Sequence, residues 1–224
     1  MTPMLRFGFA LVLAGALGAC TSLIPDQNVS NAFGLDGVPV TATVGGAEAT
    51  SLSGESEGST QLSGTFASEV PRGDLTAIPG FISVASISDV ITIQATVDVS
   101  APGDVSFATS YTITGVAIEL RVASGTATVI DQTWSAAGLE LTFSGSATYD
   151  EGSDTTVGTY TVATEIPLVT LMVQGAAVDA FVDALSDGDT LDVAGALTVD
   201  LQPAIPSGAE VTLTLKSLGG TVTF

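Results

Sequence analysis

VITIQATVDV, at residues 90–99, is the stretch that decides the fold. Isoleucine, alanine and valine occupy its odd-numbered positions from 91 to 99, and threonine, glutamine and aspartate lie between them. An alternation with period two places apolar side chains on one face of a β-strand and polar ones on the other. The stretch therefore predicts a strand with one buried face.

The same alternation recurs along most of the chain that follows. It is found at residues 105–113, 116–122, 139–143, 191–201, 211–215 and 222–224. Turn-forming residues separate these segments, as in APGD at 101–104 and DEGSD at 150–154. We expect roughly nine to eleven strands. The fold class this predicts is all-β, an antiparallel β-sandwich over residues 36–224.

One segment has helical rather than strand periodicity. Val178, Phe181, Val182 and Leu185 follow the spacing i, i+3, i+4, i+7, which forms a single apolar stripe on a helix. Asp187-Gly188 follows, and glycine is a common residue just past a helix end. We expect one short helix covering an open end of the sandwich.

Composition excludes several classes of function. The chain has 224 residues, with 24 acidic residues, four lysines and arginines, no histidine and one cysteine, and its formal net charge is −20. Such a charge repels phosphate backbones, so no nucleic-acid partner is expected. The absence of histidine removes Ser-His-Asp catalysis and histidine-bound zinc. A single cysteine forms no internal disulfide.

The amino terminus has the pattern of a secretory signal. Residues 7–18 are almost wholly apolar and follow a short start that contains Arg6. This length suits a signal peptide and is too short for a membrane-spanning helix of about 20 residues. The stretch ends Leu17-Gly18-Ala19-Cys20, a branched apolar residue, two small residues and cysteine. It resembles the lipobox of bacterial lipoproteins.

The resemblance implies that residues 1–19 are a signal peptide removed before Cys20. Cys20, the only cysteine, would carry fatty acyl chains such as palmitate and anchor the protein in a membrane. Two or three chains hold a protein far more firmly than one. Residues 20–35 would be the lipidated cysteine and its tether. Thr21, rather than aspartate, follows the cysteine, which favours the outer membrane of the bacterial cell envelope.

Four aspartates near the end of the predicted helix are candidate metal ligands. They are Asp183, Asp187, Asp189 and Asp192, grouped around a glycine turn. Ca²⁺ takes six to eight oxygen ligands, so hard carboxylate oxygens in such a turn suit it. The spacing differs from that of an EF-hand loop, and a solvated helix end is the alternative. No other cofactor is expected.

The lone tryptophan and the acidic pairs leave further alternatives open. Trp134 is expected in the core or at its rim, with stacking on a sugar as the alternative. The expected function is that of a non-catalytic, lipid-anchored envelope protein that binds or braces another component, such as an outer-membrane or surface-layer assembly. One alternative is a carrier of a small apolar ligand or lipid in a cavity between sheets. The other is a glycoside hydrolase that uses two carboxylates.

Overall fold

The structure, a computed structural model, describes residues 25–45, 58–71 and 83–224. The expected signal peptide, Cys20 and the start of the expected tether lie outside these ranges. Within them the chain forms ten strands and one helix. These elements are β1 (Gln27–Val29), β2 (Pro39–Thr43), β3 (Thr60–Glu69), β4 (Ser86–Pro102), β5 (Ser110–Ser124), β6 (Ala127–Asp150), β7 (Thr155–Val162), β8 (Val169–Gln174), α1 (Ala176–Ser186), β9 (Leu191–Gln202) and β10 (Glu210–Thr223).

All strand pairs that form the sheet are antiparallel, and the strands make one continuous sheet in the order β1-β10-β4-β7-β6-β5-β9-β3. Two strands lie beside this path: β2 pairs with β10, and β8 pairs with β4. The sheet folds over on itself, so that its apolar face encloses a single core. The predicted class, an all-β antiparallel sandwich with one short helix, is confirmed.

The alternation predicts which face is buried in most strands. Val116, Ile118, Leu120 and Val122 of β5 all point into the core and are at most 4% exposed. The residues at odd positions of β9 and β10 behave in the same way, apart from the half-buried Gly195 and from the irregular end of β10. Because each of these strands buries every second side chain, one face of the sheet packs in the core and the other faces solvent.

The helix lies where the apolar stripe predicts it. Val178, Phe181 and Leu185 are its buried residues, and Phe181 makes an edge-to-face contact with Phe33 at a centroid distance of 5.9 Å. Aromatic pairs prefer this geometry. The helix contacts β6 and β8, so it covers one end of the core between them.

The helix ends at the predicted turn. Gly188 has a φ of 83°, its amide donates to the Leu185 carbonyl, and the Asp189 amide donates to the Ala184 carbonyl. This pair of hydrogen bonds is the Schellman arrangement, in which glycine takes the left-handed conformation and free carbonyls of the last turn gain donors.

Two predicted strand features are wrong in detail. Ala95 was expected to face the core, but it is exposed, because β4 has an irregularity between Ile93 and Val97 opposite β10. Such a bulge reverses the side that the intervening residues face. Residues 105–109 were expected in a strand and instead form the connection before β5.

The folded body also begins earlier than residue 36. Residues 27–29 form β1 and pair with β10, and Ala32, Phe33 and Leu35 are completely buried. Part of the range expected to be a tether therefore belongs to the core. No helix in the described part of the chain is long and apolar enough to cross a membrane.

Candidate functional site: an open slot between two strands

Two strand edges face each other without pairing. β6 pairs with β5 along most of its length, but on its other side only residues 143–150 have a partner, in β7. β8 pairs with β4 on one side only. Among the described residues, no backbone ladder joins β8 to residues 127–142 of β6, although these two elements lie close together. We call the opening between them the slot.

The slot begins where β7 gives way to β8. Both strands run along the same edge of β4, and residues 163–168 connect them. Three interactions hold this connection to β4 and β10. The Thr92 hydroxyl donates to the Ile166 carbonyl at 2.6 Å, and the Leu168 amide donates to the Ile91 carbonyl at 2.9 Å.

The third interaction is an ion pair. The Lys216 ammonium lies 2.7 Å from both carboxylate oxygens of Glu165. Both side chains are about one-third exposed, and the pair contributes modestly because solvent screens it. The ion pair nevertheless joins the connection between β7 and β8 to β10, because Glu165 lies in the connection and Lys216 lies on β10.

On the opposite side of the slot, β6 is distorted. The pairing of β5 with β6 shifts between Ile113 and Gly115, so that residues 138–140 of β6 face Thr114 alone. Gly138 has a φ of 71°, a conformation that side chains disfavour and glycine adopts freely. Bulges bend the strand that contains them, and this one begins two residues after the part of β6 that lines the opening toward β8.

Seven residues line the slot, which has a volume of about 300 Å³: Trp134, Ser135, Ala136, Pro167, Leu168, Val169 and Thr170. Trp134 faces the core side of β6, opposite Ile118 of β5. Ile118 is 1% exposed, whereas Trp134 is only half-buried. The difference arises because the slot uncovers the inward face of β6 at this point.

This part of β6 is only weakly predicted by its sequence. Its inward positions carry Ile130, Gln132, Trp134 and Ala136, and a glutamine and an alanine weaken the apolar alternation that predicts strands elsewhere. The polar Gln132 opposite the fully buried Leu120 is the available signal, since an inward glutamine is expected only where the core opens. Trp134 lies at the rim of the core, as predicted.

Two broader grooves lie on the outer face of the sheet. The larger, of about 800 Å³, surrounds the bulge and includes Thr112, Thr142, Glu140 and Pro203. The other, of about 550 Å³, contains the carboxylates of Asp98 and Glu210. Asp98 accepts a hydrogen bond from the Thr159 hydroxyl at 2.7 Å.

A carboxylate is buried near the start of β4. Asp89 is completely buried, and its Oδ1 accepts a hydrogen bond from the Ser217 hydroxyl at 2.6 Å. Among the described residues, its Oδ2 has no hydrogen-bond partner. Burial raises the pKa of Asp89, and the Ser217 hydroxyl and nearby backbone amides oppose this shift without cancelling it.

The same cluster fastens the amino-terminal segment. Ser217 Oγ accepts a hydrogen bond from the Asn31 amide, and the Ser217 amide donates to Asp36. Asn31 in turn accepts from the Asp36 amide. These bonds hold the segment after β1 against β10, which is a structural role.

The four predicted calcium ligands are exposed. Asp183 lies on α1, Asp187 caps its end, Asp189 follows it, and Asp192 lies on β9. Asp189 accepts a hydrogen bond from the Ser124 hydroxyl, so one of its oxygens is engaged. In the ranges that the structure describes, no three acidic side chains come together as a metal ligand set. Calcium binding stays a prediction.

Comparison with known proteins adds no family. No protein-family model matches the sequence, and no curated protein matches it. One similar solved structure is the carbohydrate-binding module TmCBM61 in complex with β-1,4-galactotriose, at 8% identity and a TM-score of 0.18, covering 87% of this chain and 86% of that one. Another is infectious bursal disease virus, Gx strain, at 9% identity and a TM-score of 0.14, covering 89% of this chain and 40% of that one. Scores this low carry no argument about fold or function.

Proposed function

We propose that the protein is a non-catalytic, lipid-anchored component of the bacterial cell envelope that binds or braces another envelope component. The observation that carries this proposal is the slot. Two strand edges with unpaired backbone groups flank a half-buried tryptophan there. Unpaired edges of this kind are sites where further chains add to a sheet.

The lipobox-like sequence before Cys20 supports the location. Acylation of Cys20 would hold the protein at a membrane, and the support for acylation is the resemblance to the lipobox. The folded body begins at β1, only a few residues after Cys20. A short tether would keep the folded body close to the membrane surface, where an envelope partner is at high effective concentration.

Acylation is tested by expressing the full-length chain in a bacterial host with labelled palmitate. Wild type is expected to incorporate label and to float with membranes. Cys20→Ser is expected to lose both properties, and Thr21→Ser is the matched control that retains them. A Cys20→Ser variant that still carries label and floats with lipid would contradict the anchor.

Partner binding is tested by placing a photo-crosslinking amino acid at single positions in the native host. At Ser135, which lines the slot, a discrete covalent product with one envelope protein is expected. At Ser153, in the exposed turn after β6, none is expected. Free monomer at both positions after irradiation would count against the proposal.

One observation favours a second candidate, a carboxylate-dependent glycoside hydrolase. Asp98 and Glu210 share the groove on the outer face, and Thr212 lies directly opposite Asp98, so the two carboxylates are diagonal neighbours. Such neighbours have backbones about 7–8 Å apart, so their side chains can flank one glycosidic bond, as the two carboxylates of a glycoside hydrolase do. The test is hydrolysis of envelope glycans by wild type, Asp98→Asn and Glu210→Gln. Equal activity of all three ends this candidate.

A further inference from the structure

The free edge of β6 has a bulge at residues 138–140 and contacts α1 and β8, but it lacks the residue types that most often block strand addition. Residues 127–142 contain no proline, lysine or arginine, the residues with which natural proteins most often blunt an exposed edge. Within this stretch every residue has a backbone amide and carbonyl, and half of these groups point away from β5. The part of this edge before the bulge, residues 127–137, suits a strand rather than a small molecule, because only a polypeptide matches its repeating donors and acceptors.

The side chains around the slot define what the added strand must carry. Toward the core, Trp134, Leu168 and Val169 present apolar surface, so alternate residues of the strand must be apolar. On the outer face of β8, Met172 is 43% exposed. Methionine adapts to varied partners, and the aliphatic stems of lysine and arginine cover such a side chain well.

The charges beside the slot are acidic. Asp131 lies on the outer face of β6, and exposed Asp179 and Asp183 lie on α1, which contacts both β6 and β8. Two cations are present in the described part of the chain. Arg121 lies opposite Asp131 on β5, and Lys216 is held by Glu165. The field at the slot therefore attracts a basic segment.

We propose that an extended, cationic segment of a partner protein adds as a strand to the free edge of β6 beside the slot, places one apolar side chain in the slot, and alternates apolar with basic residues. This inference rests on the proposed binding function and deepens it. It names the surface, the conformation of the partner and its charge.

The test uses a synthetic peptide of about eight residues that alternates valine with lysine, a usual strand length. The full-length chain is kept in a neutral detergent. Because Trp134 is the only tryptophan and lies in the slot, its fluorescence reports binding directly. We expect a blue shift that saturates, and weaker binding as salt rises. A matched peptide of valine and glutamate is expected to leave the fluorescence unchanged.

Charge variants test the electrostatic part of the proposal. Asp179→Asn combined with Asp183→Asn is expected to weaken lysine-peptide binding about three- to tenfold, from the small energy of each exposed pair. Asp104→Asn combined with Glu151→Gln removes the same charge at the opposite end of β6 and is the control. Equal weakening by both pairs would mean general attraction to an acidic protein, and would overturn the slot as the site.

Hydrogen exchange tests the added strand itself. Peptide binding is expected to slow exchange of amides in residues 127–137 and to leave β3 unchanged. Binding without this protection overturns strand addition. Protection that rises with protein concentration alone would mean that a second copy occupies the slot, which also overturns the proposal. If the peptide fails while crosslinking at Ser135 still captures an envelope protein, the inference is wrong and the proposed function stands.

Discussion

Removal of one hydroxyl, by Tyr160→Phe, tests how the core holds the connection between β4 and β5. Tyr160 is completely buried, and its hydroxyl donates to the Ala108 carbonyl at 2.6 Å. The Ala108 amide donates to the Tyr111 hydroxyl at 3.0 Å, and the rings of the two tyrosines meet edge to face at 5.4 Å. Both hydrogen bonds therefore fasten the same residue of the connection.

Tyr160→Phe keeps the ring contacts and removes one bond. The Ala108 carbonyl loses a partner at a partly buried site, which costs at most about 1–3 kcal/mol of unfolding free energy. For a protein of this size, that corresponds to a fall in Tm of about 2–12 °C. Tyr149→Phe removes an exposed hydroxyl that donates to Asp154 and is the control, with a much smaller expected change at pH 7.

The same hydroxyl gives the effect a pH dependence. Burial, followed by the neighbouring Tyr111, raises the pKa of Tyr160 to about 12. A raised folded pKa stabilises the native state fully below the unfolded value of about 10, and this stability is lost as the pH rises toward 12. By pH 11 the loss is at most about 1.4 kcal/mol, and because the hydrogen bond of the hydroxyl is only partly buried, solvent screening reduces this loss to about half.

Tyr160→Phe lacks this contribution, so its disadvantage relative to wild type should shrink between pH 9 and pH 11. Urea unfolding followed by far-ultraviolet circular dichroism measures both proteins at each pH. A difference that stays constant with pH would refute the assigned role of the hydroxyl. So would a variant as stable as wild type at pH 7.

Three further predictions concern the carboxylates. Burial raises the pKa of Asp89, so its contribution to stability is present at low pH and is lost as the pH rises through its folded pKa. Asp89→Asn should flatten the loss of stability that wild type shows as the pH rises above about 4 in urea titrations. Added NaCl should raise the Tm by screening the net charge of −20. If Asp189 helps to bind calcium, millimolar Ca²⁺ at constant ionic strength raises the Tm further and Asp189→Asn removes only that gain; identical effects of Ca²⁺ and Mg²⁺ in both proteins would exclude the site.

The strands that the sequence predicts best are those whose inward faces are sealed. Val193, Leu197 and Val199 of β9 each meet neighbouring strands on both sides, so burial requires an apolar residue at nearly every second position. The helix was equally readable, because Phe181 and Leu185 must share one face to cover the core. In these places the local pattern and the tertiary environment impose the same choice of residue.

The failures occur where tertiary contacts override the pattern. Ala95 alternates correctly in the sequence, yet the bulge in β4 turns it outward. Phe33 and Leu35 lie in a polar stretch without periodicity. They are buried because the pairing of β1 with β10 brings the segment that contains them against the core. Neither outcome follows from spacing alone, since each depends on the register of a strand more than a hundred residues away.

The candidate site belongs to this second group. Gln132 and Ala136 interrupt the apolar alternation of β6. Among the described residues, the edge they lie on is free because β8 forms no backbone ladder with it. A missing ladder between two strands leaves no mark in either sequence segment. The charges were readable individually, but their placement around the slot depends on the contacts of α1 with β6 and β8.

The acidic surface gives the open edge a selectivity that its backbone lacks. An unpaired strand edge accepts any extended chain, including another copy of the same protein, and long edges without lysine or proline are usual sites of self-association. Two copies of this chain, each with a formal charge of −20, repel one another as they approach, whereas a basic segment is drawn in. The same charge that destabilises the compact state at low salt therefore disfavours self-pairing at β6. On this reasoning, raising the salt concentration should stabilise the fold, weaken binding of the basic segment and permit self-association. One ionic-strength titration can separate these three effects. Thermal melting measures stability, Trp134 fluorescence measures binding, and sedimentation measures self-association.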